Sequence, residues 1–442
     1  MDFRGAFLLA ATAGLAAAAA AEEWPEWRGP RRDGTSQETG LPVKWSETEN
    51  VAWKTPIPGK GHSSPVVWGD KVFVTTAEPK ELRRILLCLD ARDGKLLWSR
   101  DVLVAPLERI NSLNSYASST PATDGRNVFV AFQDRDKMFV ASYDFDGNKL
   151  WEQRPGRFFA AHGFCSSPLL HGDLVILNGD QDSRPKAPAY IVALDKATGE
   201  QRWLAPRPNG VRSYVPPVII EAAGRKQLVL SGSQCVAAYE PDTGKQLWLV
   251  DGPTEQMAAS LVMTQGILFV TGGYPTLHLM GIRPDGAGNV TKSHVVWHEA
   301  KNPKAVSYVP SPLACKDWFF VASDGVVGGG SHLSCLEAKT GKVLWMEKLG
   351  RHQSASPVLA EGLIYLPDDD GITHVVRAGP QFELVARNPI GDQCFASFAV
   401  SRGRIFIRSL RSLWCIGGGA VPGPQGPGQP GEASPARESP PR

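Results

Sequence analysis

Leu89-Asp90-Ala91-Arg92-Asp93-Gly94-Lys95-Leu96-Leu97-Trp98 returns along the chain as Leu194-Asp195-Lys196-Ala197-Thr198-Gly199-Glu200-Gln201-Arg202-Trp203, as Tyr239-Glu240-Pro241-Asp242-Thr243-Gly244-Lys245-Gln246-Leu247-Trp248, and as Leu336-Glu337-Ala338-Lys339-Thr340-Gly341-Lys342-Val343-Leu344-Trp345. A looser copy ends in Asp146-Gly147-Asn148-Lys149-Leu150-Trp151. Glycine stands four residues before tryptophan in all five, and an acidic residue stands eight before it in the four closer copies. Short apolar runs on either side of an Asp/Thr-Gly turn are the pattern of a hairpin. Glycine supplies the positive φ the turn needs, and the tryptophan ends the second strand with a large flat surface and an N–H that wants an acceptor. Repetition of such a unit at this period marks a propeller or a solenoid.

A second phrase precedes each copy: a small or hydroxyl residue, usually proline, an apolar strand, a Gly or Asp turn and another strand. Ser64-Pro65-Val66-Val67-Trp68-Gly69-Asp70-Lys71-Val72-Phe73-Val74 is the first. Later copies begin at Thr120-Pro121, Ser167-Pro168, Pro216-Pro217, Ser311-Pro312 and Ser356-Pro357, while Ser260-Leu261 and Ser397-Phe398 hold the place without proline. Eight starts and four strands per unit follow. The tryptophan ends are Trp98, Trp151, Trp203, Trp248, Trp297 and Trp345, and a seventh end near Val385 has no tryptophan. The unit starting at Ser397 has room for three strands only, whereas Asn50-Val51-Ala52-Trp53-Lys54 is a phrase end with no phrase before it. The expectation is an all-β, eight-bladed propeller of four-stranded antiparallel blades, closed by pairing the N-terminal strand with the last blade. Closure of this kind protects sheet edges, and the span 50–416 gives about 46 residues per blade.

The Asp/Glu-x-x-Thr-Gly-Lys-x-x-Trp phrase resembles the tryptophan-docking repeat of the pyrroloquinoline quinone (PQQ) propeller superfamily. That superfamily includes quinoprotein alcohol dehydrogenases and the BamB-like outer-membrane assembly factors, which carry the repeat without the cofactor. The resemblance covers residues 50–416 and implies the eight-bladed architecture. It implies a docking role for Trp53, Trp98, Trp151, Trp203, Trp248, Trp297 and Trp345.

Residues 1–21 read as a signal peptide: Arg4 in a short n-region, an apolar run from Gly5 to Ala20, and Ala19-Ala20-Ala21 as a small-x-small cleavage site. Export to the periplasm or the extracellular space is expected, as a soluble protein with no integral membrane span in the mature chain. No cysteine sits at the cleavage site, whereas BamB-like factors are typically lipoproteins. Residues 22–49 open with Trp24-Pro25-Glu26-Trp27-Arg28-Gly29-Pro30, similar to the start of exported PQQ-like propellers of the planctomycete type. This arm is expected to pack its tryptophans across one end of the ring. Residues 417–442 are rich in Pro, Gly and Ser and lack the apolar content to fold.

A formal net charge of +2 with 21% charged residues contains no stretch basic enough for nucleic acid. The seven cysteines are odd in number and spread over different units, which argues against a disulfide framework and leaves room for a single bridge. Cys88 and Cys335 hold the place of Ala193 and Ala238 in other copies, a small core position that a free cysteine fills as a hydrophobe.

Quinoprotein dehydrogenases generally carry adjacent cysteines against the quinone, a Glu/Asn/Asp set for Ca²⁺ and a catalytic Asp. This chain has no adjacent cysteines, and the calcium set is not matched by position. It also has no Gly-x-Ser-x-Gly, P-loop or His-Glu-x-x-His. His294 and His298 fall in an apolar run read as a strand, on one face. Asp368-Asp369-Asp370-Gly371 offers three carboxylates, the kind of oxygen donors Ca²⁺ takes, at the place where other units have turn residues such as Ser323-Asp324-Gly325. No catalytic residue, metal site or cofactor is assigned; PQQ with Ca²⁺ belongs to the dehydrogenase alternative.

Propellers bind partners or ligands at the mouth of the central channel, where loops of all blades converge. Lys60, His62, Tyr116, His162, Arg212, Tyr214, Gln256, Tyr308, Arg351, His352 and Gln393 lead into the inner strands and are the candidate binding residues. The functional expectation is an exported, non-catalytic binding scaffold that meets envelope proteins or peptides, as in outer-membrane assembly. The alternative is a PQQ-dependent dehydrogenase-like oxidoreductase.

Overall fold

The computed structural model describes residues 21–159, 161–181, 188–300, 305–325 and 329–418. The signal-peptide and tail expectations lie outside them, apart from Ala21, Gly417 and Gly418. The chain forms eight antiparallel blades of four strands, sequential in the first seven, and two of the sheets gain a fifth, parallel strand. Blade 1 is Val66–Trp68, Lys71–Glu78, Arg83–Asp90 and Leu96–Val104. Blade 8 takes Ala399–Ser401, Arg404–Arg408 and Ser412–Ile416 from one end of the chain. Its outer strand, Val51–Pro56, comes from the other end and pairs antiparallel with Ser412–Ile416. The ammonium of Lys54 lies 4.0 Å from the Trp414 ring across that closure.

Each blade's second and third strands are buried for most of their length, while its outer strand is largely half-buried or exposed. The phrase residues account for the packing. Phe73, Phe129, Phe269, Phe320 and Phe406, all on second strands, face Trp98, Trp151, Trp297, Trp345 and Trp53 of their own blades, with centroids 5.8–6.1 Å apart. Such aromatic pairs contribute roughly 0.5–1.5 kcal/mol each beyond their buried area.

The same tryptophans join neighbouring blades. The indole N–H groups of Trp53, Trp98, Trp151, Trp297 and Trp345 donate to the carbonyls of Ala91, Phe145, Lys196, Ala338 and Gly379 at 2.9–3.0 Å. Trp53, Trp98, Trp151, Trp203 and Trp297 each lie on the phrase glycine of the next blade, where a Cβ would come within 3.0 Å of the ring. The glycine is therefore required twice, by its φ near +75° and by the indole stacked on it.

Two of the seven docking tryptophans depart from this pattern. Trp203 rests on Gly244, but its buried N–H meets no acceptor among the described residues. Trp248 donates to the side chain of Gln227 in its own blade. The reason is local: blade 5 carries an inserted strand, Gly288–Asn289, that pairs parallel with the outer strand of blade 4 and displaces the usual turn.

The hydroxyl residue at each blade start forms a circumferential ladder. The Ser64 N–H donates to Thr120 Oγ1, and Thr120 to Ser167 Oγ. Ser260, Ser311 and Ser356 then donate to the hydroxyls of Ser311, Ser356 and Ser397, all at 2.9 Å. Where Pro216 interrupts the series, the Ser260 hydroxyl donates to the Pro216 carbonyl at 2.7 Å.

The N-terminal arm crosses the end of the ring where the turns between first and second strands lie. Trp24 is fully buried and exchanges two backbone hydrogen bonds with Val67 of blade 1. Glu26 accepts from Leu170 N–H of blade 3, and the buried Arg28 donates to the Ser311 and Pro312 carbonyls of blade 6. Thr35–Ser36 adds a parallel strand to blade 7, and Trp45 stacks on Tyr365 with centroids 6.3 Å apart. Glu23 and Glu38 accept from the turn amides of Gly69 and Gly403.

The seven cysteines are free. Cys88 and Cys335 are fully buried, as are Ala193 and Ala238 at the same place.

Candidate functional site

In every blade the first strand leaves one end of the ring and the second returns to it. Links between blades and loops between second and third strands therefore share that end, opposite the arm. Seven of the predicted mouth residues make contacts with one another or with common neighbours there. The His62 ring lies against Phe395 of blade 8, centroids 4.7 Å apart. Burial pushes its pKa down to about 4, reinforced by Arg408 and Lys60 and opposed by Asp369. His352 Nδ1 is 2.5 Å from Asp369 Oδ2, and this hydrogen bond raises its pKa. Asp369 also accepts from the Ser354 amide and hydroxyl. The Tyr308 hydroxyl donates to Gln256 Oε1 at 3.4 Å. Burial carries that phenol up to about 12, with Arg212 acting against the shift and Cys165 and Asp324 with it. Asp324 acts on His352 as well, which links blades 6 and 7. His162 and Tyr214 bring their rings to 5.9 Å.

Four predicted residues sit apart from this cluster. Tyr116 lies under the Arg84 guanidinium at 5.9 Å and packs on the core between blades 1 and 2. Lys60 and Gln393 are exposed on the rim. Arg351 is exposed too, and forms a two-point pair with Asp370.

Phe395, Asp324, Asp369 and Arg408 belong to the cluster and were not selected from the sequence. Asp324 and Asp369 read as turn residues, and Phe395 lies two residues beyond the candidate Gln393. Arg408 is the clearest omission. It is fully buried, its three guanidinium nitrogens meet no acceptor among the described residues, and burial lowers its pKa to about 10. Asp392, the carboxylate that opposes this shift, is hydrogen-bonded to Ser409 and Arg411 instead. The only sequence signal was a charged residue ending an apolar strand where other blades have Thr75, Ser231 and Thr271.

The acidic run separates into three independent contacts. Asp368 accepts from the Ile372 amide and lies 3.0 Å from His374 Nε2, Asp369 holds His352, and Asp370 holds Arg351. His294 does not share a strand with His298. It ends a short helical turn, Thr291–His294, and pairs with Asp285 at 3.3 Å. Among the described residues no three His, Cys, Asp or Glu side chains converge as a metal-binding group.

A family model described as outer membrane protein assembly factor BamB matches residues 35–118, 82–274 and 289–379, most of the ring. The chain belongs to this BamB family of PQQ-like repeat propellers. Its likeness to the BamB family extends to solved structures: BamB from Moraxella catarrhalis superposes with a TM-score of 0.55 at 14% identity, over 82% of this chain and 95% of that one. The quinohemoprotein alcohol dehydrogenase of Comamonas testosteroni superposes with a TM-score of 0.64 at 12% identity, over 93% and 82%. Likeness at these identities is one of fold. A polyvinylalcohol dehydrogenase from Pseudomonas sp is 24% identical over 274 residues, 52% of this chain and 41% of that enzyme. The BamB-family chain spans less than half the length of the curated relatives it matches. Among its described residues no helix is long and apolar enough to cross a membrane.

Proposed function

We propose that the chain is an exported, non-catalytic binding scaffold that uses the channel mouth to meet proteins or peptides of the cell envelope, in the manner of an outer-membrane assembly factor. The observation that carries this reading is the distribution of exposed apolar side chains. Leu82, Leu113, Phe159, Tyr274 and Val309 are exposed in mouth loops; the other large exposed hydrophobes lie on outer strands, and none lies in the arm or the turns it covers. Exposed apolar residues beside polar, hydrogen-bonded groups suit a protein interface. The mouth side chains are engaged with each other as His352–Asp369 and Tyr308–Gln256, an arrangement that presents a surface rather than a nucleophile with a free base.

The dehydrogenase reading draws on the curated relatives. In that case the mouth would have to hold a quinone and Ca²⁺. The carboxylates at hand do not fit the metal: Asp368, Asp369 and Asp370 diverge, and each is already bound to a histidine or an arginine. No catalytic step is derived through the cofactor.

The test combines two measurements on the mature chain. One is a titration with PQQ and Ca²⁺ followed by absorbance and dye-linked alcohol oxidation. The other places a photocrosslinking residue at Phe159 in cells. A crosslink to an envelope protein with no quinone turnover supports the scaffold. Saturable quinone binding with turnover overturns it.

A further inference from the structure

The outer rim of blade 5 carries a constellation that neither the ring nor its mouth requires. His278 opens the third strand, His278–Ile282, and His298 lies on the outer strand, Val295–Glu299. These strands pair antiparallel with Met280 opposite His298. Residues two apart on a strand, and residues opposite one another in register, share a face. His278, Met280 and His298 therefore stand on one side of the sheet. All three line a cleft of about 430 Å³, together with Asp251 and Thr254 at the end of blade 4.

The two imidazoles meet edge to edge, with planes 25° apart, centroids 5.0 Å apart and His278 Nδ1 2.8 Å from His298 Nε2. Two ring nitrogens this close share one proton: one donates, and the other must present its lone pair. A metal ion can take the place of that proton, which moves to the other nitrogen of its own ring, so that both imidazoles bind as neutral ligands. Two metal–nitrogen bonds of about 2.0 Å at a tetrahedral angle separate the nitrogens by about 3.3 Å. That is an opening of about half an ångström, which side chains at a solvent-open cleft can make.

The third donor decides which metal. Zinc and calcium sites are built from imidazole, thiolate and carboxylate, or from oxygen alone. Here the nearby carboxylate of Asp251 already accepts from Asn289 at 2.6 Å, and the one sulfur donor among the lining residues is the thioether of Met280, a buried residue at the edge of the apolar core. Two imidazoles with a thioether favour a soft ion. We propose that His278, His298 and Met280 form a binding site for monovalent copper on the rim of blade 5. The site is independent of the scaffold reading and stands or falls without it.

The test is anaerobic transfer of Cu(I) to the full chain from a colorimetric chelator of known affinity. One ion per chain is expected. His278→Ala, at a half-buried position, and His298→Ala, at an exposed one, should each weaken binding by about 100-fold. Met280→Leu should weaken Cu(I) by about tenfold and leave Zn(II) affinity unchanged, since only the soft ion uses sulfur. A melting curve for each variant separates loss of the site from loss of the fold. Failure of the protein to take copper from the chelator would overturn the site. So would binding that survives both histidine substitutions, or binding that disappears instead with Cys315→Ser, which removes the half-buried free thiol ending the first strand of blade 6.

Discussion

Trp248 Nε1 donates to Gln227 Oε1 at 2.6 Å, and Gln227 Nε2 passes the connection on to the Pro284 carbonyl of blade 5 at 2.9 Å. The bond that elsewhere runs directly from indole to the neighbouring blade here runs through a fully buried amide, which also donates to Ala222. Gln227→Leu keeps the volume and removes the relay. An indole N–H and two carbonyls lose their partners, and each unsatisfied buried group costs about 1–3 kcal/mol. A loss of at least about 3 kcal/mol is expected in chemical denaturation. Trp248→Phe in the Gln227→Leu background should recover part of it, because the stranded donor is gone.

The glycine beneath each docking indole is open to a similar test. Gly341 has φ +73°, and a Cβ there would lie 2.6 Å from the Trp297 ring. Gly341→Ala combines left-handed backbone strain of about 1–2 kcal/mol with overpacking of about 1–3 kcal/mol. Gly341→Ala with Trp297→Leu should be less destabilised than the sum of the single changes, because the clash partner is removed. Strict additivity in a double-mutant cycle would show that the indole does not constrain the glycine.

These two joints show what the sequence discloses. The ring was legible because one turn is specified by residue identity, not by hydrophobicity alone: Gly94, Gly199, Gly244 and Gly341 must be glycine for reasons that repeat with the fold. The closing strand was legible because Trp53 ends a phrase that nothing begins. The Gln227 relay was not legible. Gln227 and Pro284 are 57 residues apart, and no local pattern tells a buried amide from a solvated one. The His278–His298 contact was hidden in the same way, since it depends on cross-strand register. The mouth was half legible: loop position brought out His62, Tyr308 and His352, while Asp324 and Asp369 looked like ordinary turn residues until the ring placed them beside those side chains.

Arg207 and Asp180 form a fully buried pair, with Nε–Oδ1 at 2.9 Å, between blades 3 and 4. Arg207 also donates to the Gly232 carbonyl and the Tyr239 hydroxyl. The carboxylate favours the charged guanidinium, whose pKa rises. Asp180→Asn leaves that cation buried without its counter-charge and should cost about 3–5 kcal/mol. Arg408 is the opposite case, a buried cation with no hydrogen-bond acceptor to lose among the described residues. Arg408→Met should be neutral or stabilising by about 1–3 kcal/mol in thermal melts. A large destabilisation would mean that the guanidinium has a counter-charge in solution.

The mouth histidines give the ring a stability maximum in pH. His62 is pushed to about 4 from an ordinary value of 6.5. Between those values the unfolded chain takes up a proton that the native state does not. The contribution of His62 is therefore fully present above pH 6.5 and is lost as pH falls through about 4. His352 behaves in the other sense. Its bond to Asp369 raises its pKa above 6.5, so the folded chain holds the proton longer. That contribution is present below 6.5 and is lost as pH rises through the raised value. Urea midpoints measured between about pH 4 and 8 should trace a dome. His62→Phe should flatten the acid limb only, and His352→Gln the alkaline limb only. If His62→Phe left the acid limb unchanged, the imidazole would not be held neutral against Phe395, and the packing of blade 8 on blade 1 at the mouth would need another account.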